Sequence, residues 1–521
     1  MKVNKKTSIK NNKVSTTAST NPLSWKESLS FSLKVSAVLA LIAIVILMAM
    51  QWQDNDLYWI IATGREQLKN GVLKINPFFN CGDIGFIAQQ WLWNDIAAVF
   101  DKFNMLILLQ LLQIALFIFI STTLLIFEGM KKSYAYILSI SILPFLYCLH
   151  LRPELITQML LIGQCIITEW YIEERQEGKK VQNTYLAFLG IMALEINLHA
   201  SMWILHFVMF LPYLVSIDFT KESKKAMFKD MVLTAFKRMK IFIVPALLMV
   251  IGMFTNPYDI KGITYLFDSL KAGIVTKLNI SELQKPDLFS TYGLQLLITL
   301  IVLIVVIILT ILKYKKINEG KEKKTPLYFT EHICMILGLL FMCLFKVRYI
   351  YFFGVVAVHL FCLLKNLQNT KYEKIFNVII CIFAILAFAV AFNHTSKIKD
   401  FKHNTNYEEI VQYLDEHEEK DVKIFTDFNS GGYFEYKGYK TFFDARPELF
   451  SKVINEEYDY LDEYVKFMDA TDSEFCNNFI NKYNFKYYIV SNVNTRINTF
   501  LSDNDWTCVV KTSSASLYVK K

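Results

Sequence analysis

Apolar runs of about twenty residues recur from residue 31 to residue 392, separated by short polar and lysine-rich stretches, and a chain so patterned cannot keep those runs in water. They span residues 31–51, 104–127, 133–150, 154–171, 184–198, 202–217, 241–255, 292–312, 329–345, 349–364 and 375–392. The pattern predicts an α-helical polytopic membrane protein with about 11 transmembrane helices. The runs 184–198 and 202–217 are short and meet at His199–Ser201, so they are either two spans joined at a polar tip or one broken re-entrant hairpin. The first run carries no small-residue cleavage site and is read as a retained span rather than a signal peptide.

Charge sets the expected orientation. With the N-terminus in the cytoplasm, segments 1–30, 128–132, 172–183, 218–240, 313–328 and 365–374 face inward and hold about 27 lysines and arginines, against about a dozen in the outer segments between spans, which have a similar total length. This imbalance accounts for the formal net charge of +8 without a nucleic-acid partner. An odd number of spans then leaves the C-terminus outside a multi-pass cytoplasmic membrane protein. The expected organisation is a disordered basic tail (1–30), a transmembrane domain (31–395) with long outer loops 52–103 and 256–291, and an extracytoplasmic soluble α/β domain (396–521).

In the first outer loop, residues 56–70 read as an amphipathic helix, and Trp52, Trp59, Trp91 and Trp93 suit helices lying at headgroup level. In the tail, residues 406–419, 454–469 and 473–483 read as helices; Lys423–Thr426, Tyr439–Phe443, Lys486–Ser491 and Ser516–Val519 read as strands. The nine cysteines show no CxxC spacing, and a Cys476–Cys508 disulfide is the minority reading.

Several polar residues stand where chemistry is possible. Asp54 and Asp56 follow the first span, where a carboxylate pair can hold a divalent cation with phosphate oxygens or take a proton from a hydroxyl; both acids equally suit the start of the next helix. Arg152-Pro153, Asn197, His199, Ser201, Asn256-Pro257 and Arg348 fall at span ends on the same expected side. Singly, the arginines read as snorkelling groups and His199 as an interhelical hydrogen bonder. Together they describe a polar cavity opening outward, with arginines matched to the oxygens of an anionic lipid-linked phosphate. Asn429 and Gly431-Gly432 read as a turn of unusual φ, and Asp444 and Arg446 as a pair on a strand end. That pair either bonds internally, binds an acceptor glycan, or holds the tail against the cavity.

The run Asp54-Asn55-Asp56-Leu57-Tyr58-Trp59-Ile60-Ile61-Ala62-Thr63-Gly64-Arg65, then Gly71 and Asn76-Pro77-Phe78, resembles a first-loop signature of a large bacterial group of multi-spanning proteins: D-x-D-x-W-W-H-L-x-T-G-R, G, D-P-F, H-E-W-L. The resemblance continues at Arg152-Pro153, Asn197-Leu198-His199, Asn256-Pro257-Tyr258, Arg348-Tyr349, Asn429 to Tyr433 and Phe443 to Arg446. Here the pattern's histidine is Ile60 and its H-E-W-L is Gln89-Gln90-Trp91-Leu92. That group resembles the GT-C glycosyltransferases, the fold of protein O-mannosyltransferases and the oligosaccharyltransferase catalytic subunit.

The resemblance implies transfer of a sugar from a polyprenyl-phosphate-linked donor to an envelope glycan or protein acceptor on the outer face. Asp54 and Asp56 would be catalytic or would organise a magnesium or manganese ion. Arg65, Arg152, Asn197, His199, Glu282, Arg348, Asp444 and Arg446 would bind substrate, with Glu282 placed by analogy with loops that close over GT-C sites. One rival is a non-catalytic envelope protein whose outer domain binds a glycan or protein, which Ile60 and Gln89-Gln90 favour. A lipid-linked-glycan transporter is opposed by the few charges visible in the inner halves of the spans.

Overall fold

The structure, a computed structural model, describes residues 25–50, 55–146, 150–278, 280–287, 289–318, 326–368, 370, 372–395 and 407–520. Most of the expected basic tail, together with Trp52 and Asp54, lies outside them. Helix α1 (Trp25–Ala49) precedes α2 (Asp56–Asn70) and α3 (Trp91–Lys102) of the first long loop. Next come α4 (Leu106–Phe127), α5 (Lys132–Ser141), α6 (Glu154–Gln176), α7 (Gln182–Leu198), α8 (Trp203–Val208) and α9 (Lys224–Met253). The second long loop holds α10 (Asp259–Lys271) and α11 (Ile274–Lys277). Helices α12 (Thr291–Asn318), α13 (Phe329–Cys343), α14 (Phe353–Leu364) and α15 (Glu373–Thr395) complete the membrane part.

Among the described residues, six stretches are long and apolar enough to cross a membrane: Phe31–Ala49, Leu106–Phe127, Glu154–Gln176, Gly293–Lys315, Val347–Leu367 and Glu373–Asn393. Of the remaining expected runs, 241–255 lies within the 30-residue helix α9, whose first half is basic, and the others are helical but shorter or broken, so length and composition together single out six of the 11. The stretches Glu154–Gln176 and Val347–Leu367 are central, with 67% and 78% of their residues buried, against 28% for those on α1, α12 and α15. The outer helices expose Phe31, Leu39, Ile42, Ile298, Ile301 and Ile308, faces that lipid covers at no cost and water does not. The run expected at 202–217 is broken into two 3-10 turns around α8, the second opened by Pro212, whose ring cannot continue an α-helix. Segment 218–240, expected as a basic loop, is instead largely the first half of α9; its Arg238 is buried and bonded to Glu331 at 2.7 Å.

The tail folds as α16 (Glu408–His417), β1 (Ile424–Thr426), α17 (Gly431–Tyr436), α18 (Lys452–Asn455), α19 (Tyr460–Asp469), α20 (Ser473–Tyr483), β2 (Tyr487–Ser491), α21 (Thr495–Asp503), β3 (Trp506–Lys511) and β4 (Ala515–Lys520). Its sheet has the order β1-β2-β4-β3, with β1 and β2 parallel and the other pairs antiparallel. Both parallel strands are buried along their whole length, as strands covered on two faces must be. Residues 439–443 do not form a tail strand, because Thr441 pairs instead with Phe79 of the first loop. The expected helix 454–469 is divided by a bend, and Cys476 and Cys508 are free thiols, one buried and one exposed.

The first loop and the tail share one core. Phe79, Ile84 and Phe86 pack in a single cluster with Phe442, Phe443 and Phe450. The tryptophans expected at headgroup level serve this docking: Trp59 and Trp93 are buried, and Trp91 donates to Asn197 Oδ1 at 2.8 Å. Gly431 and Gly432 open a helix rather than a left-handed turn, and close approach explains the first: a Cβ on Gly431 would lie 2.0 Å from the Phe443 carbonyl oxygen. The same applies between α2 and α3, where a Cβ on Gly64 would meet the Asn94 carbonyl oxygen at 2.0 Å. Gly64→Ala is expected to cost about 1–3 kcal/mol through forced separation of the two helices, read as a lowered unfolding midpoint in detergent.

Candidate active site

Asp56 is the first residue of α2 rather than its cap, which is Asn55, and a carboxylate there suits the positive end of the helix dipole. Its Oδ2 accepts the Arg152 guanidinium at 2.7 Å. Arg152 lies just ahead of α6, where Pro153 takes the cap position with its φ already suited to a helix start. Gln113 fixes the backbone there by donating to the Arg152 carbonyl at 2.8 Å. The same guanidinium lies 3.8 Å from Glu282 and 4.0 Å from Glu154.

Glu282 sits in a 3-10 turn (Ser281–Leu283), and the Val347 N–H donates to the neighbouring Gln284 carbonyl at 2.9 Å. Arg348, in the turn Val347–Phe352, approaches Glu154 to 3.5 Å. His199 follows α7; its Nδ1 is 2.7 Å from the Thr157 hydroxyl, and the next N–H donates to the Gln89 carbonyl.

These side chains surround one cavity of about 290 Å³, also walled by Trp59, Ile60, Phe86, Gln89, Gln90, Tyr265, Arg446 and Glu448. Of the residues expected from sequence, Asp56, Arg152, His199, Glu282, Arg348 and Arg446 line it. Arg65 does not: it bonds Asp101 at 2.6 Å and stacks on Tyr436 at 4.3 Å, tying α2 to α3 and α17. Asn197 is also outside the lining, bonded to Trp91 and the Thr255 hydroxyl, as is Asp444. Sequence reasoning missed Glu154 and Glu448. Each had a signal, since each acid closes an Arg-Pro-Glu tripeptide at a cavity arginine.

Arg446 is a strut rather than an open binding group. It bonds both Asp444 oxygens, at 3.1 and 2.6 Å, Glu435 at 2.7 Å and the Thr63 hydroxyl of α2 at 3.0 Å. Its guanidinium also lies 4.9 Å from the Trp59 ring. Burial pushes the Glu435 carboxyl well above the ordinary carboxylate range, against the opposing Arg446 charge. Burial acts the same way on Asp444, but the adjoining Arg446 charge overrides it and holds that carboxyl low. Burial in the cavity wall also raises the Glu448 carboxyl, against the opposing hydrogen bond from the Tyr265 hydroxyl at 3.1 Å.

The cavity therefore presents two guanidiniums, Arg152 and Arg348, neutralised by carboxylates that an incoming anion can displace. Among the described residues, groups of three metal-ligating side chains close enough to share an ion occur elsewhere in the bundle and not here.

No family model and no curated relative matches the sequence. Solved structures do match in fold. Oligosaccharyltransferase AglB from Archaeoglobus fulgidus, in complex with an inhibitory peptide and a dolichol-phosphate, superposes with a TM-score of 0.58 at 10% identity, over 90% of this chain and 70% of that one. ArnT from Cupriavidus metallidurans, bound to undecaprenyl phosphate, does so with a TM-score of 0.56 at 10% identity, over 94% and 98%. The Archaeoglobus enzyme has also been solved with zinc and sulfate, matching with a TM-score of 0.51 at 12% identity over 88% and 68%. At such identities the likeness is one of architecture, and this chain has the membrane glycosyltransferase fold named GT-C.

Proposed function

We propose that the protein moves a sugar from a polyprenyl-phosphate-linked donor to a hydroxyl or amide of a cell-envelope glycan or protein. The observation carrying this reading is the meeting of Asp56, Arg152, Glu154, His199, Glu282 and Arg348, drawn from distant segments, around one cavity. Relatives in fold bind dolichol-phosphate and undecaprenyl phosphate. On this reading the donor phosphate takes the place of carboxylate at Arg152 and Arg348, and Asp56 is released toward the acceptor. The acceptor oxygen or nitrogen bonds to the anomeric carbon as the bond to phosphate breaks. Asp56 takes the acceptor proton, and the guanidiniums hold the charge gathering on the departing polyprenyl phosphate.

A magnesium or manganese ion on Asp54 and Asp56 is a further part of the proposal, tested by turnover after chelation and readdition of each metal. The expected sidedness, with the cavity on the extracytoplasmic face of the cytoplasmic membrane and the N-terminus inside, also belongs to it. Reporter fusions at both termini test that.

The direct test is turnover by the purified chain in liposomes carrying a polyprenyl-phosphate sugar. Arg348→Ala removes one charged partner of the phosphate and is expected to raise the donor KM about ten- to a hundredfold, with a smaller change in kcat. An unaltered KM would remove Arg348 from the donor site. Ile60, Gln89 and Gln90 face the cavity, which favours a second reading as a non-catalytic glycan- or protein-binding envelope protein. That reading predicts no transfer from any polyprenyl-phosphate sugar.

A further inference from the structure

Helix α6 carries a second buried acid far from the cavity. Glu154 lines the cavity, while Glu169, fifteen residues on, lies about 22 Å farther along the helix. There Glu169 meets Glu128, which follows α4, and His332 in the first turn of α13, with one ligand atom from each within 4.8 Å of the others. The three are 0%, 5% and 1% exposed respectively. Two acids and an imidazole so deeply buried need a reason to stay in a membrane domain.

Their outward-turned atoms point at one another without bonding. His332 Nε2 and Glu128 Oε1 are 3.3 Å apart, near enough for a hydrogen bond, yet their geometry makes none. Glu169 Oε2 likewise has no hydrogen-bond partner, and the Lys365 ammonium pairs with Glu128 Oε2 alone. The opposite sides of the ligands are already committed. Tyr213 donates to Glu169 Oε1 at 2.8 Å, and His332 Nδ1 is 2.9 Å from His359 Nδ1. His359 Nε2 lies 3.5 Å from the Cys165 sulfur. Metal binding requires the tautomer in which His359 holds its proton on Nε2 and His332 donates through Nδ1, which frees the His332 Nε2 lone pair toward the carboxylates.

We propose that Glu128, Glu169 and His332 bind a divalent transition-metal ion such as zinc at the end of the bundle remote from the cavity. Ligands about 2.0–2.2 Å from a shared tetrahedral ion sit about 3.3–3.6 Å apart, so the three ligand atoms, all within 4.8 Å of one another, draw together when the ion binds. Two carboxylates and a neutral imidazole match zinc or a neighbouring metal in donor type, and the ion would offset buried charge that Lys365 meets only at Glu128. Tyr213 and His359 supply the outer hydrogen bonds that fix metal ligands in orientation. The site stands apart from the glycosyltransferase reading, and its test does not use activity.

The full chain, purified in detergent and stripped with chelator, is reloaded with zinc and its bound metal measured after desalting. The expected result is about one zinc per chain, falling at least tenfold in Glu169→Gln and in His332→Ala. Asp56→Asn should retain this zinc, which separates it from any ion in the cavity. Cys362→Ser should retain it too, which separates it from the neighbouring His332, His359 and Cys362 group. Loss of zinc in Cys362→Ser, or no change in Glu169→Gln and His332→Ala, overturns the assignment. Should those two variants not fold, the stripped wild-type chain decides: zinc raises its unfolding midpoint if the site is real, and an unmoved midpoint overturns the proposal.

Discussion

Asp56→Asn is expected to cut the rate of sugar transfer about 10²–10⁴-fold, the range over which positioned acid–base groups act, while leaving the chain folded. The amide keeps the shape of the carboxylate and one acceptor oxygen toward Arg152, which the native Asp56 bonds at 2.7 Å. What it loses is the capacity to take a proton. Donor binding, which the proposal assigns to Arg152 and Arg348, should change little, so kcat falls while the donor KM moves less than threefold. A variant with native kcat would show that Asp56 is only a counter-ion for Arg152, and the proton would then need another acceptor. Glu282, 3.8 Å from the same guanidinium, is the next carboxylate to try.

Removing Arg446 should have the largest effect on stability. Arg446→Met retains much of the aliphatic packing but takes from Asp444, buried at 0% exposure, the guanidinium that holds its carboxyl low. Breaking a buried ion pair from one side costs about 3–5 kcal/mol. The loss is expected to appear as undocking of the tail, seen as faster proteolysis within residues 407–520 and a lower unfolding midpoint. The double variant Arg446→Met, Asp444→Asn removes the stranded charge and should recover at least half of the deficit. If the single variant unfolds no more readily than the native chain, the strut contributes nothing to docking.

The parts of the fold that depend on solvent preference were legible in the sequence. Every apolar run became helical structure, and α2 was read to its residue limits because its caps and amphipathic spacing are local. Convergence of Asp56, Arg152, His199 and Arg348 was legible as well, since each ends an apolar run where only polar company makes it tolerable. Tertiary contacts defeated the rest. Nothing local shows that Trp59 underlies Arg446 instead of meeting headgroups, or that Thr441 pairs with Phe79 and not with a tail strand. Gly431-Gly432 was read as a turn because its reason is a carbonyl from Phe443 twelve residues away. Glu128, Glu169 and His332 share no spacing at all, and only the packing of α4, α6 and α13 brings them together.

The cavity has a floor made early in the chain and a roof made late. Thr63 and Arg446 are bonded across 383 residues, and Phe428 and the segment Ala445–Leu449 close the wall begun by Asp56 and Trp59. During translation, the reactive groups of the floor must therefore wait, with Phe79 and Phe86 uncovered, until nearly the whole polypeptide has left the ribosome. A nascent or truncated product ending before residue 428 would hold Asp56 and Arg152 without the segment that closes the wall over them.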